Sequence, residues 1–308
     1  MKLPKLLLTL SLLALASSHS WAGGNLKLQK VTENVYAIVG ELGNRTAGNL
    51  GNNATFGFVI TTEGVVLIDS GGTYQGAEEI GLLVKKVTDR PIVTVINTGG
   101  QDHRWLGNGY FKERGAQIIA SEQAVKDQGN RAQDQFILLA NLAGAEILKG
   151  TEAVYADKTF IEQFNFKMGD TIFEIRHSGQ AHTPGDSFVW LPQLGTMFTG
   201  DIVYVDRMPG VGTQSNSKSW IGVFQTMADY KPTYLIPGHG EVTDLSHARK
   251  DTLDYLVFLR KSVADFMENG GDIADIGSVD QSRYSYLVNY EAISGRNAQQ
   301  VFTEMEWE

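Results

Sequence analysis

Apolar and polar positions alternate along this chain in two distinct periods. Short runs such as Val35–Val39, Phe56–Thr61 and Val65–Ile68 read as strands, with Glu63-Gly64 as a turn between the last two. From Ala77 to Thr88 the apolar positions Ile80, Leu83, Val84 and Val87 follow helical spacing, which predicts a helix broken by Pro91. Ile92–Ile96 is a further strand, Ile118–Ala120 another, and 122–142 is mostly helical. The second half repeats the theme, with strands predicted over Lys158–Phe164, Thr171–His177, Phe188–Leu191, Thr196–Thr199 and Thr233–Ile236. Helices are predicted over Ser219–Asp229 and Ala248–Met267, and a polar tail starts at Asp272. Strands and helices alternate in two comparable halves with no Pro- or Ser-rich linker. This predicts one α/β domain in which two face-to-face sheets are covered by helices.

The first residues break this pattern. Lys2 and Lys5 precede an apolar run from Leu6 to Ala16, and Ser20-Trp21-Ala22 supplies small residues at a cleavage position. The run is shorter than the roughly 20 residues of a spanning helix. Residues 1–22 are therefore expected to be a cleaved signal peptide, residues 23–308 the exported domain with a helical tail, and the location periplasmic or secreted. The chain has no cysteine, so a core and not disulfides must hold it. The net charge is −9; without Lys2 and Lys5, 24 basic residues face 35 acidic ones, a net of −11. With no basic run, nucleic acid and anionic membrane are excluded as expected partners, and a small-molecule substrate is left. Oligomeric state is not encoded in these features.

Candidate chemistry sits where strands end. Asp102 and His103 follow the strand at Ile92–Ile96, His182 follows Thr171–His177, Asp201 follows Met197–Thr199, and His239 follows Tyr234–Ile236. Glycine lies near each, which lets a loop turn sharply and present the side chain. Nitrogen and carboxylate ligands suit zinc, and also iron or manganese. Any one of these residues alone is a strand-end histidine or a turn aspartate; five in this placement point to a metal site.

These residues carry a resemblance to the metallo-β-lactamase superfamily of hydrolases. Ala181-His182-Thr183-Pro184-Gly185-Asp186, Thr199-Gly200-Asp201 and Pro237-Gly238-His239-Gly240 match its motifs, and Asp69 matches an aspartate that supports the metal loops. The resemblance implies an αββα four-layer sandwich of the metallo-β-lactamase type, with metal in a groove at one edge. Within the superfamily, Asp201–Arg207, Ser215–Trp220 and Gly295–Gln300 resemble segments of exported sulfur-oxidation and quinoprotein-relay metallohydrolases. The chain departs from the family in one loop. Where the pattern His-x-His-x-Asp-His carries its first two histidines, Thr98, Gly99 and Gly100 stand before Asp102 and His103.

The loss falls on one of the two metal positions that the resemblance implies. The first keeps His182 and a share of Asp201; the second keeps Asp102, His103, Asp201 and His239, enough for one tightly held zinc. The expected activity is hydrolysis of an ester, thioester or amide by a metal-activated water, with Asp102 orienting that water and His182 donating a proton or binding substrate. Gln101 and His177 are weaker candidates to fill the gap, and Arg207 and Lys218 are candidates to face an anionic substrate. Two rival expectations are an iron-dependent sulfur-compound oxidoreductase of the persulfide dioxygenase kind and a non-catalytic metal-binding accessory protein. The Gly43–Asn53 loop is expected to overhang the groove.

Overall fold

In the computed structural model, residues 25–308 are described; the expected signal peptide lies outside them. The strands are β1 (Lys27–Lys30), β2 (Val35–Val39), β3 (Thr55–Thr61), β4 (Gly64–Ile68), β5 (Ile92–Asn97), β6 (Gln117–Ser121), β7 (Lys158–Phe160), β8 (Gln163–Met168), β9 (Thr171–Arg176), β10 (Phe188–Leu191), β11 (Thr196–Phe198) and β12 (Tyr234–Ile236). Strands β1 to β7 form one sheet in chain order, antiparallel as far as β4 and parallel from β4 to β7. The second sheet has the order β12-β11-β10-β9-β8, antiparallel except for the parallel β11–β12 pair.

The helices are α1 (Tyr74–Lys85), α2 (Asp102–Trp105), α3 (Asn108–Lys112), α4 (Glu122–Ala143), α5 (Ser217–Ala228), α6 (Leu245–Ala248), α7 (Asp254–Glu268) and α8 (Tyr290–Glu306). Side-chain caps fix where several begin. Thr73 accepts from Gly76 N at α1, Ser121 from Ala124 N at α4, and Asn216 from Ser219 N at α5.

The period of two within strands decides the layers. In β4, Val66 and Ile68 point to the other sheet, where they join Val59, Ile96, Val189, Phe198 and Ile236. Val65 and Leu67 point the other way, onto Ile80 and Val84 of α1 and Phe111 of α3. The outer face of the second sheet is covered by α5, α7 and α8, with Trp220, Phe224, Leu259 and Val301 in one apolar cluster with Phe188 and Leu235. These are the four layers of the expected αββα sandwich. Because β4 is buried on both faces, it reads as a continuous apolar run and does not alternate.

Two predicted elements change in the fold, and the expected helical tail is present. Lys158–Phe164 is not one strand: the chain leaves the first sheet after Phe160 and enters the second at Gln163. Ala248–Met267 is interrupted by a π-helical turn at Arg249–Leu253. The polar tail contains α8, whose buried residues Asn297, Ala298, Val301 and Phe302 pack on the second sheet's helices. No helix of the described residues is long and apolar enough to cross a membrane.

Candidate metal centre

The strand ends converge at one edge of the sandwich. Asp69, at the end of β4, adopts a left-handed backbone (φ 64°), and its carboxylate accepts from Thr98 N (2.7 Å) and Thr98 Oγ1 (2.8 Å). Thr98, which stands near a missing histidine, is therefore a partner of Asp69. The two glycines after it are packed against acids. A Cβ on Gly99 would run into the Asp186 carboxylate, and one on Gly100 into that of Asp127. Their carbonyls are tied to α4: Gln128 Nε2 donates to Gly99 O (3.1 Å) and Gln135 Nε2 to Gly100 O (2.8 Å). The short loop has closed onto α4, leaving no room there for larger side chains.

His103, Asp201 and His239 come together, fully buried, with one potential ligand atom from each lying close to the others. His103 Nε2 is 3.1 Å from Asp201 Oδ2, and His239 Nε2 is 3.1 Å from Asp201 Oδ1. Tyr204 stacks on His239 with ring centroids 4.5 Å apart. Asp102 and His182 lie outside this triplet. The Asp102 carboxylate is paired with Arg45 and accepts from His103 N (2.8 Å), while its Oδ2 is buried without a partner. His182 Nδ1 is 2.7 Å from Gly210 O, and its ring meets those of Tyr204 and Trp220. Of the weaker candidates, Gln101 is 3.4 Å from Arg131 Nη1, and His177 Nδ1 lies 2.8 Å from Asp186 O, away from the triplet. Lys218 is exposed and pairs with Glu308.

The residue that sequence reasoning missed is Arg104. Its guanidinium is wholly buried and reaches both Asp201 oxygens (Nη2 to Oδ1 2.7 Å, Nε to Oδ2 3.2 Å), Asp69 Oδ2 (2.9 Å), Thr55 O (3.0 Å) and Gly238 O (2.9 Å). It ties the ends of β3, β4, β11 and β12 together. The only signal in the sequence was a charged residue between His103 and the apolar pair Trp105-Leu106. Arg45 was missed too; it comes from the Gly- and Asn-rich loop, which does reach over the groove. That loop is ordered by its asparagines: Asn49 Nδ2 donates to Asn44 O (2.9 Å) and Asn53 Nδ2 to Gly43 O (2.9 Å).

Electrostatics set the protonation states. Burial alone would raise the Asp201 carboxyl, but Arg104, His103 and His239 hold it well below the usual carboxylate range. Burial likewise works against Asp102, and Arg45 and His103 outweigh it, keeping that group ionised. Burial, helped by the charge of Arg207, keeps His239 neutral, and burial brings His182 down to about 4. Neutral His239 makes its contact with Asp201 informative. Its single N–H belongs on Nδ1, which faces the carbonyl of Asn53 at 2.8 Å and can only donate there. Nε2 then faces a carboxylate oxygen of Asp201 3.1 Å away.

The three side chains converge, each offering one ligand atom within 4.8 Å of the others. Ligand atoms at typical zinc distances lie about 3.3 Å apart around a tetrahedral centre, near the separations seen. Asp201 keeps one bond from Arg104 on each oxygen and has lone pairs to spare. The residues therefore fit a metal held by two histidines and one carboxylate, with the Asn53 carbonyl fixing the tautomer of one ligand.

Comparison with known proteins gives the family and the fold. The family model described as the metallo-beta-lactamase superfamily matches residues 50–239, more than half of the chain, and the protein belongs to that superfamily. Among similar curated proteins, a metallo-beta-lactamase type 2 of Bacillus sp. (strain 170) is 28% identical over 226 residues, covering 72% of this chain and 79% of the relative. One of Elizabethkingia meningoseptica is 23% identical, covering 75% and 85%. Among solved structures, a metallo-beta-lactamase from Pontibacter korlensis superposes with a TM-score of 0.59 at 24% identity, covering 75% of this chain and 99% of that one. A double mutant of the sec-alkyl sulfatase PisA1 reaches 0.72 at 17% identity, covering 91% of this chain and 50% of that one. The last two likenesses concern the fold.

Proposed function

We propose that this protein is an exported metal-dependent hydrolase with one metal, held by His103, Asp201 and His239, acting on an ester, thioester or amide bond of a small substrate. The observation that carries the reading is the convergence of His103, Asp201 and His239, all buried, with one ligand atom of each within 4.8 Å of the others. Three protein ligands with an open position are the pattern of a catalytic site, and a metal bound there lowers the pKa of its water so that hydroxide is available near neutral pH.

The remaining roles follow from the protein's own groups. Neutral His182 has its Nδ1–H committed to Gly210 O, and no described residue pairs with its Nε2. Its resting form accepts a proton, so it serves first as base and then returns that proton to the leaving group. Asp102 is held charged by Arg45; it orients His103 and offers a free carboxylate oxygen to water or substrate. Arg104 holds Asp201 in place and neutralises it in part, which weakens the pull on a second cation. Filling of the Gly99-Gly100 loop by Asp186 and Asp127 leaves no room there for two further ligand side chains, which supports a single metal.

One observation favours a second reading. Two histidines and a carboxylate with open positions also form the facial triad of non-haem iron enzymes, which keeps the sulfur-compound oxidoreductase in view. Elemental analysis of protein purified from its native compartment and dialysed separates the cases. The expected result is one equivalent of zinc per chain, lost in His239→Ala together with ester turnover. Iron with oxygen consumption on a persulfide favours the oxidoreductase. Two tightly held equivalents, or no metal and no turnover, overturns the proposal, the latter leaving an accessory role.

A further inference from the structure

Outside the groove, one other cluster of ligating side chains stands among the described residues. Asp206, His247 and Asp251 each bring one ligand atom within 4.8 Å of the others. They come from three places: Asp206 from the segment after Asp201, His247 from α6, and Asp251 from the π-helical turn. His247 Nε2 lies 3.3 Å from Asp206 Oδ1 and 3.0 Å from Asp251 Oδ2. Arg207, next to Asp206, takes no part; its Nη1 donates to Leu42 O and Gly43 O (2.6 Å each).

The backbone around the cluster is shaped to present these groups. Asp251 is wholly buried. Tyr286 Oη donates to its Oδ1 (2.8 Å) and Asp206 N to its Oδ2 (2.9 Å), which fixes the carboxylate with Oδ2 toward His247. Asp206 has a left-handed backbone (φ 58°), a conformation few residues other than glycine adopt. Asp244 caps α6 by accepting from His247 N (2.9 Å), and the turn that follows, carrying Asp251, is π-helical, a rare element frequent at functional positions.

Two occupants compete for the space between the three atoms: a proton on Nε2, or a cation. One N–H serves a single acceptor at full strength, because the bond weakens steeply off line. Ligand atoms around a tetrahedral zinc lie about 3.3 Å apart, close to both separations. A nitrogen with two carboxylates selects a first-row cation such as zinc over calcium or magnesium, which take oxygen ligands. The local rival is Lys250, whose Nζ is 3.7 Å from Asp251 Oδ1, the oxygen that Tyr286 holds; at 62% exposure that pairing is weak. His247 and Asp206 are 38% and 53% exposed, which leaves room for water to complete a coordination shell.

We propose that Asp206, His247 and Asp251 form an exchangeable site for a divalent first-row cation, separate from the His103–Asp201–His239 centre. Three ligands open to solvent hold the ion weakly, so it is lost on dialysis and does not add to the tightly held equivalent. Its effect is structural. Val288 N donates to Asp206 O (2.9 Å) and Met208 N to Val288 O (3.0 Å), so the ion would staple the segment after Asp201 to α6, the π-helical turn and the C-terminal tail at once.

The test uses the full chain as dialysed, titrated calorimetrically with zinc chloride and, separately, with calcium chloride. One further saturable zinc event is expected, with calcium binding far more weakly. His247→Gln and Asp206→Asn should each weaken the zinc event about tenfold or more, the loss of one ligand. Added zinc should raise the thermal midpoint of wild type and not that of His247→Gln. Both substituted side chains are partly exposed, and circular dichroism checks that the variants fold. Elemental analysis counts the tightly held equivalent separately; it should be unchanged in both variants, so this proposal and the hydrolase reading fail independently. No further zinc event overturns the proposal and leaves a proton on His247 as the occupant. An event undiminished in both folded variants, or calcium bound as tightly as zinc, overturns it as well.

Discussion

At the scale of single residues, burial decides charge. Asp186 is the clearest case. Burial, with Asp201 adding to it, pushes its carboxyl up to about 8. The unfolded chain gives that proton up near 4. Between those values the folded state binds the extra proton, so Asp186 makes stability fall as pH rises from about 4 to 8. His182 has the opposite sign: its folded value of about 4 lies below the unfolded one of about 6.5, so its contribution is lost as pH falls through that window. Asp186→Asn, which keeps an acceptor for Thr183 N, should remove only the first slope. In metal-free protein the variant should match wild type at pH 4 and be more stable at pH 8, by urea unfolding; the His182 slope is common to both and cancels. Parallel curves for the two proteins would place the titration elsewhere.

At the scale of elements, the site is a set of strand ends joined by loops whose shape is set by α4. The strand and helix periods found most of these elements, because a face buried against a neighbour leaves its repeat in the sequence. They failed where a short element crosses between sheets, at Lys158–Phe164, and within Ala248–Met267, where a π-helical turn interrupts the expected helix. By its sequence the metal loop is an incomplete ligand set, with Thr98, Gly99 and Gly100 before Asp102 and His103. Its glycines are in fact a close-packing device, since Asp127 and Asp186 occupy the space that side chains at Gly100 and Gly99 would need. Gly100→Ala should therefore destabilise the fold by about 1–3 kcal/mol, the usual cost of overpacking. An unchanged urea midpoint would show that α4 yields freely and that the loop is open to larger residues.

At the scale of the molecule, the C-terminal helix reaches back to the chemistry. Asn297 of α8 is fully buried, donates to Pro209 O (2.7 Å) and Tyr255 Oη (2.8 Å), and accepts from Val211 N (2.9 Å). It thereby fixes the segment whose Gly210 carbonyl orients His182. Asn297→Ala is expected to cost about 1–3 kcal/mol by leaving buried groups unpaired. It should also lower kcat while leaving metal content intact, because only His182, the base in the proposed mechanism, is disturbed. Loss of metal together with activity would show that the helix supports the whole groove and not His182 alone.

The sequence by itself determined the layered α/β architecture and the family, and it marked strand ends that carry candidate ligands. Those are carried by local periods and by short motifs at strand ends. Only the tertiary structure decided which groups meet. His239 owes its tautomer to the carbonyl of Asn53, 186 residues away, and Asp201 meets Arg104 across 97. Asp102 and His103 are neighbours in sequence, yet Asp102 faces Arg45 while His103 faces Asp201. Charge pairing in a buried groove depends on distance and desolvation, and neither leaves a periodic trace along the chain.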